Sequence, residues 1–406
     1  MSVVNLHRAL AISERGRDFP ASPIRKLTPL ADAARRRGVK VYHLNIGQPD
    51  IETPAIMRDR LKQMNERVLE YSPSAGTPEY LQSLQHYYER RLGIRLDRDQ
   101  ILATTGGSEA ILFSLITCAN AGDDILVVEP FYANYRAFAA MAGVRLVPVT
   151  SRGRDGFHLP ERHVWERAWT RRTRAALICN PNNPTGTVYR REELEMVGGF
   201  CRDHALFLIS DEVYREFVYD GLRAISALEL PECEELVIVV DSLSKRYSAC
   251  GLRLGSLATR NRTIYDACLK LAQGRLSPPG LAQFMAVGAN DLGDAYTHDV
   301  IAEYQHRRDV LFEGLTSIPG VFLQRPEGAF YCVAKLPVDD AEKFAAWLLS
   351  DFEHDGATVM VAPANGFYAS PLGINEVRIA YVLNEHDLRA AIELLRMALS
   401  MYPQKG

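Results

Sequence analysis

The sequence has almost no net charge, no long apolar run and no paired-cysteine motif, and each absence removes a class of function. Forty-seven Lys and Arg against fifty Asp and Glu leave −3 at pH 7, which offers no net electrostatic drive toward nucleic acid or anionic lipid. The residues before Gly47 contain no helix-turn-helix pattern or basic recognition helix. The seven cysteines, at 118, 179, 201, 233, 250, 268 and 332, lie far apart without a C-x-x-C pair. Their odd count suits reduced, mostly buried thiols and a cytoplasmic location. His7, Arg8, Glu14, Arg15, Arg17 and Asp18 interrupt the first twenty residues, where a signal peptide would need an apolar block. The longest apolar run, 110–119, is about half of what a bilayer span requires. Neither a nucleic-acid partner nor a membrane is expected. There is also no G-x-G-x-x-G after a strand, no Walker loop, no H-E-x-x-H and no G-x-S-x-G, so nicotinamide, nucleotide, zinc-protease and serine-hydrolase chemistry lack their motifs. No metal site is expected, and no internal repeat is present.

What is there is ample core material. The chain has 406 residues, 47% of them hydrophobic and 24% charged, more than one core of about 250–300 residues accommodates. Between 100 and 260, short β-rich apolar runs alternate with amphipathic stretches, the pattern of βα units. Strands are predicted over 101–105, 124–129, 144–149, 175–180, 205–212, 236–243 and 252–259. Several are apolar throughout, as in Leu236-Val237-Ile238-Val239-Val240, which implies burial on both faces. The fold class is therefore α/β, with a mostly parallel seven-stranded sheet covered by helices on both faces. After 295 the texture changes to a long helix (300–317), a hairpin (321–336), a helix (341–355), strands at 358–361 and 376–382, and a last helix from Glu385. Residues 1–50, with a helix at 29–38 and a strand at 41–45, hold too few apolar side chains for their own core. The expected division is an N-terminal arm joining the small unit (1–50), a large domain (51–295) and a small α+β domain (296–406).

Five segments carry chemistry. Gly106-Gly107-Ser108-Glu109 follows the first strand and opens an apolar helix, leaving backbone N–H groups where a phosphate can sit; a tight turn capped by Ser108 would look the same. Asn180-Pro181-Asn182-Asn183-Pro184-Thr185-Gly186 forms a stiff loop beyond a buried strand, where α/β proteins place ligands. Asp211 ends another strand and needs a cationic or donor partner if buried, unless it is a helix N-cap. Lys245 closes Ser242-Leu243-Ser244-Lys245 at the end of the most apolar strand. Burial there would ease loss of its proton and arm it to attack a carbonyl, while the serines and Arg253 suit a phosphate; a solvated lysine is the plainer alternative. Arg378, in Glu376-Val377-Arg378-Ile379-Ala380, shares a face with apolar residues and would grip a carboxylate, from the protein or from a substrate.

In order and spacing these segments, preceded by Ser22-Pro23-Ile24-Arg25 and Asn45-Ile46-Gly47-Gln48-Pro49-Asp50, resemble the class I/II aminotransferases of fold type I, which use pyridoxal 5′-phosphate. The likeness covers nearly the whole chain. It implies that Lys245 forms the internal Schiff base and carries the proton, that Asp211 pairs with the pyridinium nitrogen, and that Asn183 and Tyr214 bond the ring's 3-oxygen. Tyr132 would stack on the ring. Gly106, Gly107, Ser108, Ser242 and Arg253 would hold the phosphate, with Tyr71 contributed by a neighbouring subunit, which implies a homodimer with shared sites. Arg378 would clamp the substrate α-carboxylate, assisted by Gly47 and Asn183. Dicarboxylate-specific relatives carry an arginine shortly before the 277–279 stretch, where Ala272 is the nearest equivalent and Arg275 is displaced; others carry a lysine where this chain has Ser108. A distal carboxylate would therefore fall to Arg25, Ser22 or Arg275, and aspartate specificity is not implied. The resemblance implies transfer of an amino group between an L-amino acid and a 2-oxo acid by a ping-pong cycle. The alternative within the fold is diversion of the same carbanion into β- or γ-elimination, replacement, oxidation or carbon–carbon bond formation.

Overall fold

The computed structural model describes residues 11–403; the first ten residues of the expected N-terminal arm, His7 and Arg8 among them, lie outside the described residues. In chain order the strands are β1 (Lys40–His43), β2 (Ile101–Thr104), β3 (Asp124–Glu129), β4 (Arg145–Thr150), β5 (Thr173–Cys179), β6 (Phe207–Asp211), β7 (Val237–Ser242), β8 (Gly255–Ala258), β9 (Phe322–Leu323), β10 (Tyr331–Lys335), β11 (Ala357–Met360), β12 (Ala362–Pro363) and β13 (Glu376–Ala380). Seven of them form one sheet in the order β2-β8-β7-β6-β5-β3-β4. Only β8 runs against its neighbours.

The continuous apolar runs are explained by two separate cores. Along the central strands alternate residues point to opposite faces. Ala176, Ile178, Leu208, Val237 and Val239 join one core, and Ala175, Leu177, Ile209, Ile238 and Val240 the other. Helices Pro78–Leu92 and Arg191–Asp203 contribute to the first, and Gly106–Cys118 and Arg262–Arg275 to the second. A strand buried on both faces cannot alternate apolar with polar, so it reads as unbroken hydrophobicity.

Beyond the sheet, helix Asp294–Thr316 leads to an antiparallel sheet in the order β12-β13-β10-β9. Strand β1 pairs in parallel with β11, so the N-terminal segment shares structure with the end of the chain. Several expected elements are shorter than the pattern suggested, a helix and a strand by the most. The helix predicted over 341–355 stops at Ser350, where Asp351 leaves helical geometry at φ −122°, and the chain then turns at Asp355 and Gly356 with His354 bridging to Ala357. The strand predicted over 252–259 begins only at Gly255, since Arg253 adopts a left-handed φ of 50°. Among the described residues no helix is long and apolar enough to cross a membrane, and no cluster of three or more His, Cys, Asp or Glu could hold a metal ion.

Candidate active site

Strands β5, β6 and β7 run parallel, with Cys179 beside Asp211 and Asp211 beside Val240. Their carboxyl ends therefore release the 180–186 loop, Asp211 and the Ser242–Lys245 turn at one edge of the sheet. There they line a cavity of about 510 Å³. Gly107, Ser108, Tyr132, Asn183, Asp211, Tyr214, Ser242, Lys245 and Arg253 all face it, as do Gly47, Arg378, Ser22 and Arg25.

Two residues of the expected set do not. Gly106 lies behind the wall: with φ at +72°, its missing Cβ leaves room for the Arg253 guanidinium, whose Nη2 is 2.6 Å from where that atom would be. Tyr71 is 81% exposed on this chain's surface. Two further expectations are corrected. Ser108 does not cap the helix, which starts at Gly106 with Thr105 as its N-cap residue. Arg275 does not line this cavity, and its guanidinium donates to Glu109 (3.2 Å) and to the Ala103 carbonyl (3.1 Å).

Lys245 sits in the single turn Leu243–Arg246, whose N-cap Ser242 accepts from Ser244 N–H. Its neighbour Arg246 anchors the turn from the other side, pairing with buried Asp241 and lying 3.6 Å over the Tyr87 ring. Lys245 Nζ is thereby held 2.8 Å from the Gly47 carbonyl and 3.9 Å from Cys250 Sγ. Burial lowers the ammonium pKa and the nearby charges of Arg378 and Arg253 lower it further, against an opposing effect of the Cys250 thiol. A smaller fraction of this amine is blocked by a proton than in an exposed lysine.

Asp211 is buried, and no cation pairs with it among the described residues. It accepts from the Tyr135 hydroxyl at 2.6 Å and from Val213 N–H at 3.4 Å. Desolvation raises its pKa to about 6, with the Tyr135 bond acting in the opposite sense. The N-cap alternative does not hold, since no helix follows Asp211. Arg378 on β13 is 2% exposed, and among the described residues no carboxylate pairs with it. It donates to Asn183 Oδ1 (3.3 Å) and to the Asn45 carbonyl, packs over the Tyr331 and Phe367 rings, and leaves Nε without a partner. A buried guanidinium without a carboxylate is costly unless an anion arrives.

The lining thus contains four cations, Arg25, Lys245, Arg253 and Arg378, against one carboxylate, Asp211. This excess suits an anion-rich ligand. Sequence reasoning missed Tyr135 and Tyr331. Tyr135 stands one helical turn after Tyr132, a spacing that could have paired the two at one site; Tyr331 lies in a hairpin strand without any local signature.

The family model for aminotransferase class I and II matches residues 39–395. The chain belongs to this family. The aspartate/prephenate aminotransferase of Thermus thermophilus is 30% identical over 364 residues, 88% of this chain and 91% of its own. The solved aspartate aminotransferase from Thermus thermophilus with maleate has a TM-score of 0.87 at 28% identity, covering 96% of this chain and 100% of that one. An alanine aminotransferase from Pyrococcus furiosus gives 0.89 at 27% identity, with the same coverage. Aminotransferases of this family depend on pyridoxal phosphate. This aminotransferase moves an amino group between an L-amino acid and a 2-oxo acid, and the comparisons favour that reaction over elimination, replacement or carbon–carbon bond formation.

Proposed function

We propose that the 510 Å³ cavity takes pyridoxal 5′-phosphate and an amino or 2-oxo acid together, in a ping-pong aminotransferase cycle run by Lys245, Asp211, Tyr214, Asn183, Arg253 and Arg378. The observation that carries this reading is the charge pattern: a desolvated amine, one unpaired buried carboxylate and one unpaired buried guanidinium line a single cavity. The donor set fits the cofactor. Its dianionic phosphate suits Arg253 with Gly107, Ser108 and Ser242, while Gly106 gives Arg253 the room to reach them. Its cationic ring nitrogen suits Asp211, and its 3-oxygen suits Tyr214 and Asn183. Tyr132 offers a ring face.

When bound, the cofactor supplies an electrophilic aldehyde and an electron-accepting ring. Lys245 Nζ would hold the aldehyde carbon of the cofactor and would serve as the base that moves the proton at the substrate α-carbon. Asp211 would hold the ring nitrogen and favour its protonated form, by offering a carboxylate in a site where an unpaired charge would be costly. Arg378 grips the α-carboxylate with its planar fork, and Asn183, oriented by that same guanidinium, assists. Arg25 and Ser22 stand at the same cavity and are placed to read a substrate side chain. Without Arg275, a distal carboxylate would rest on Arg25.

The reading extends to assembly and location. Tyr71, Val68, Leu69 and Leu276 are exposed, and the 72–74 loop is bonded to 276–278; such an apolar patch fits a second copy of the chain, with Tyr71 reaching its phosphate site. We read residues 51–295 as the cofactor domain and 296–406, with the N-terminal arm, as the small domain. Seven unpaired thiols support a reducing, cytoplasmic compartment.

The test is a half-reaction. Purified enzyme loaded with pyridoxal phosphate and mixed with single amino acids, without any oxo acid, is expected to lose its visible absorbance and accumulate pyridoxamine phosphate with the preferred donors. Lys245→Ala is expected to abolish both turnover and the lysine-linked absorbance. Release of a side-chain fragment without pyridoxamine phosphate would refute transamination.

A further inference from the structure

Tyr331, the first residue of β10, has no place in the assignment above, yet it touches three members of it. Its hydroxyl lies 3.0 Å from that of Tyr214 and 3.4 Å from the Gly47 carbonyl. Its ring supports the Arg378 guanidinium at 4.7 Å and meets the Tyr214 ring edge-on, at 85°. The fit to Gly47 is so close that a Cβ there would stand 1.8 Å from the Tyr331 oxygen. Both tyrosines are buried, and burial raises both hydroxyl pKa values, Tyr331 to about 12. Each therefore keeps its proton at neutral pH.

The direction of those two protons follows from the acceptors available. Asn183 Oδ1 accepts from Arg378, which turns the amide so that Nδ2 donates to the Tyr214 oxygen at 3.3 Å. Of the two acceptors near Tyr331, the Tyr214 oxygen at 3.0 Å is the closer and the Gly47 carbonyl at 3.4 Å is beyond the usual O–H···O distance. The Tyr331 proton therefore goes to the Tyr214 oxygen. With two donors on its lone pairs, Tyr214 has its own proton left for the cavity.

We propose that Tyr331 is a positioning residue: by donating to Tyr214 it aims and strengthens the hydrogen bond that Tyr214 gives to the cofactor's 3-oxygen. The inference rests on the role proposed above for Tyr214. Chained hydroxyls in a low-dielectric site polarise one another, so losing the first weakens the second.

The experiment is a pH titration of the visible absorbance of the enzyme loaded with pyridoxal phosphate, comparing wild type, Tyr331→Phe, Tyr214→Phe and the double variant. Tyr331→Phe retains the ring that packs on Arg378 and Phe330, and thermal melting checks that each variant is folded. A weaker bond to the 3-oxygen destabilises its anion, so Tyr331→Phe is expected to raise the midpoint by about 0.5 to 1 pH unit, the size of one hydrogen bond. Tyr214→Phe is expected to raise it at least as far, and adding Tyr331→Phe to Tyr214→Phe is expected to change nothing further. A midpoint unchanged or lowered in Tyr331→Phe while Tyr214→Phe raises it overturns the inference alone. So does an additive double variant. A midpoint that Tyr214→Phe leaves in place overturns the role of Tyr214 and the inference with it.

Discussion

Asp211 shows how one side chain links the site to stability. Its carboxyl holds a proton up to about pH 6, because burial without a cation disfavours the charged form. The unfolded chain releases that proton near pH 4. Below that value both states are protonated; as pH rises through the window from about 4 to 6, the unfolded state alone becomes charged at first, and the cofactor-free fold loses up to about 3 kcal/mol of relative stability. Melting of cofactor-free wild type and Asp211→Asn between pH 4.5 and 7 checks this. The wild type is expected to lose melting temperature relative to the variant as pH rises, and the difference is expected to vanish once pyridoxal phosphate supplies the cation. The need for a donor or cation at Asp211 was legible from its position at the end of a strand. That Tyr135 would be the donor was not, because the two lie 76 residues apart and only the packing of helix Tyr135–Ala142 against helix Gly106–Cys118 and β4 brings its first residue over the end of β6.

At the scale of elements, β8 and the start of helix Gly106–Cys118 meet with no side chain between them. A Cβ on Gly255 would lie 2.6 Å from the Asp241 carbonyl oxygen, 2.7 Å from the Gly106 carbonyl carbon and 2.8 Å from Gly107 N. Backbone cannot yield to it as a flexible side chain would. Gly255→Ala is expected to cost about 1–3 kcal/mol of stability and to weaken pyridoxal phosphate binding at least tenfold by displacing Gly107, as measured by absorbance titration. Gly251→Ala, with open space around it, serves as the control and is expected to change neither. The strands themselves were readable in advance, because burial on both faces leaves long β-branched runs. Where each began and ended was less so: Arg253 and Asp355 take left-handed backbone that no propensity for arginine or aspartate announces.

The whole molecule brings the strand ends, the N-terminal loop and the C-terminal sheet to one cavity, and on the proposed reading it also needs a second copy. If Tyr71 serves the neighbour's site, Tyr71→Ala and Lys245→Ala impair different members of the pair. Hybrids formed by mixing the two are expected to regain one intact site, with wild-type cofactor affinity at that site. Binding and activity measured across mixing ratios check this, and no recovery beyond the sum of the parents would place Tyr71 in its own subunit's site or in none.

The βα architecture and the chemical character of the strand-end segments are written locally into the chain, because burial and backbone demands act on residue type. Lys245 in the turn that follows β7, Asp211 at the end of β6 and the stiff 180–186 loop were all readable in this way. Which partners those groups lack is set by how distant segments pack. Whether Arg378 meets a protein carboxylate, whether Arg275 is spent on Glu109, and whether Tyr331 reaches Tyr214 all depend on contacts between residues more than a hundred positions apart. Local pattern cannot encode such contacts, and on the proposed reading the unsatisfied charges they leave are what draw the ligand into the cavity.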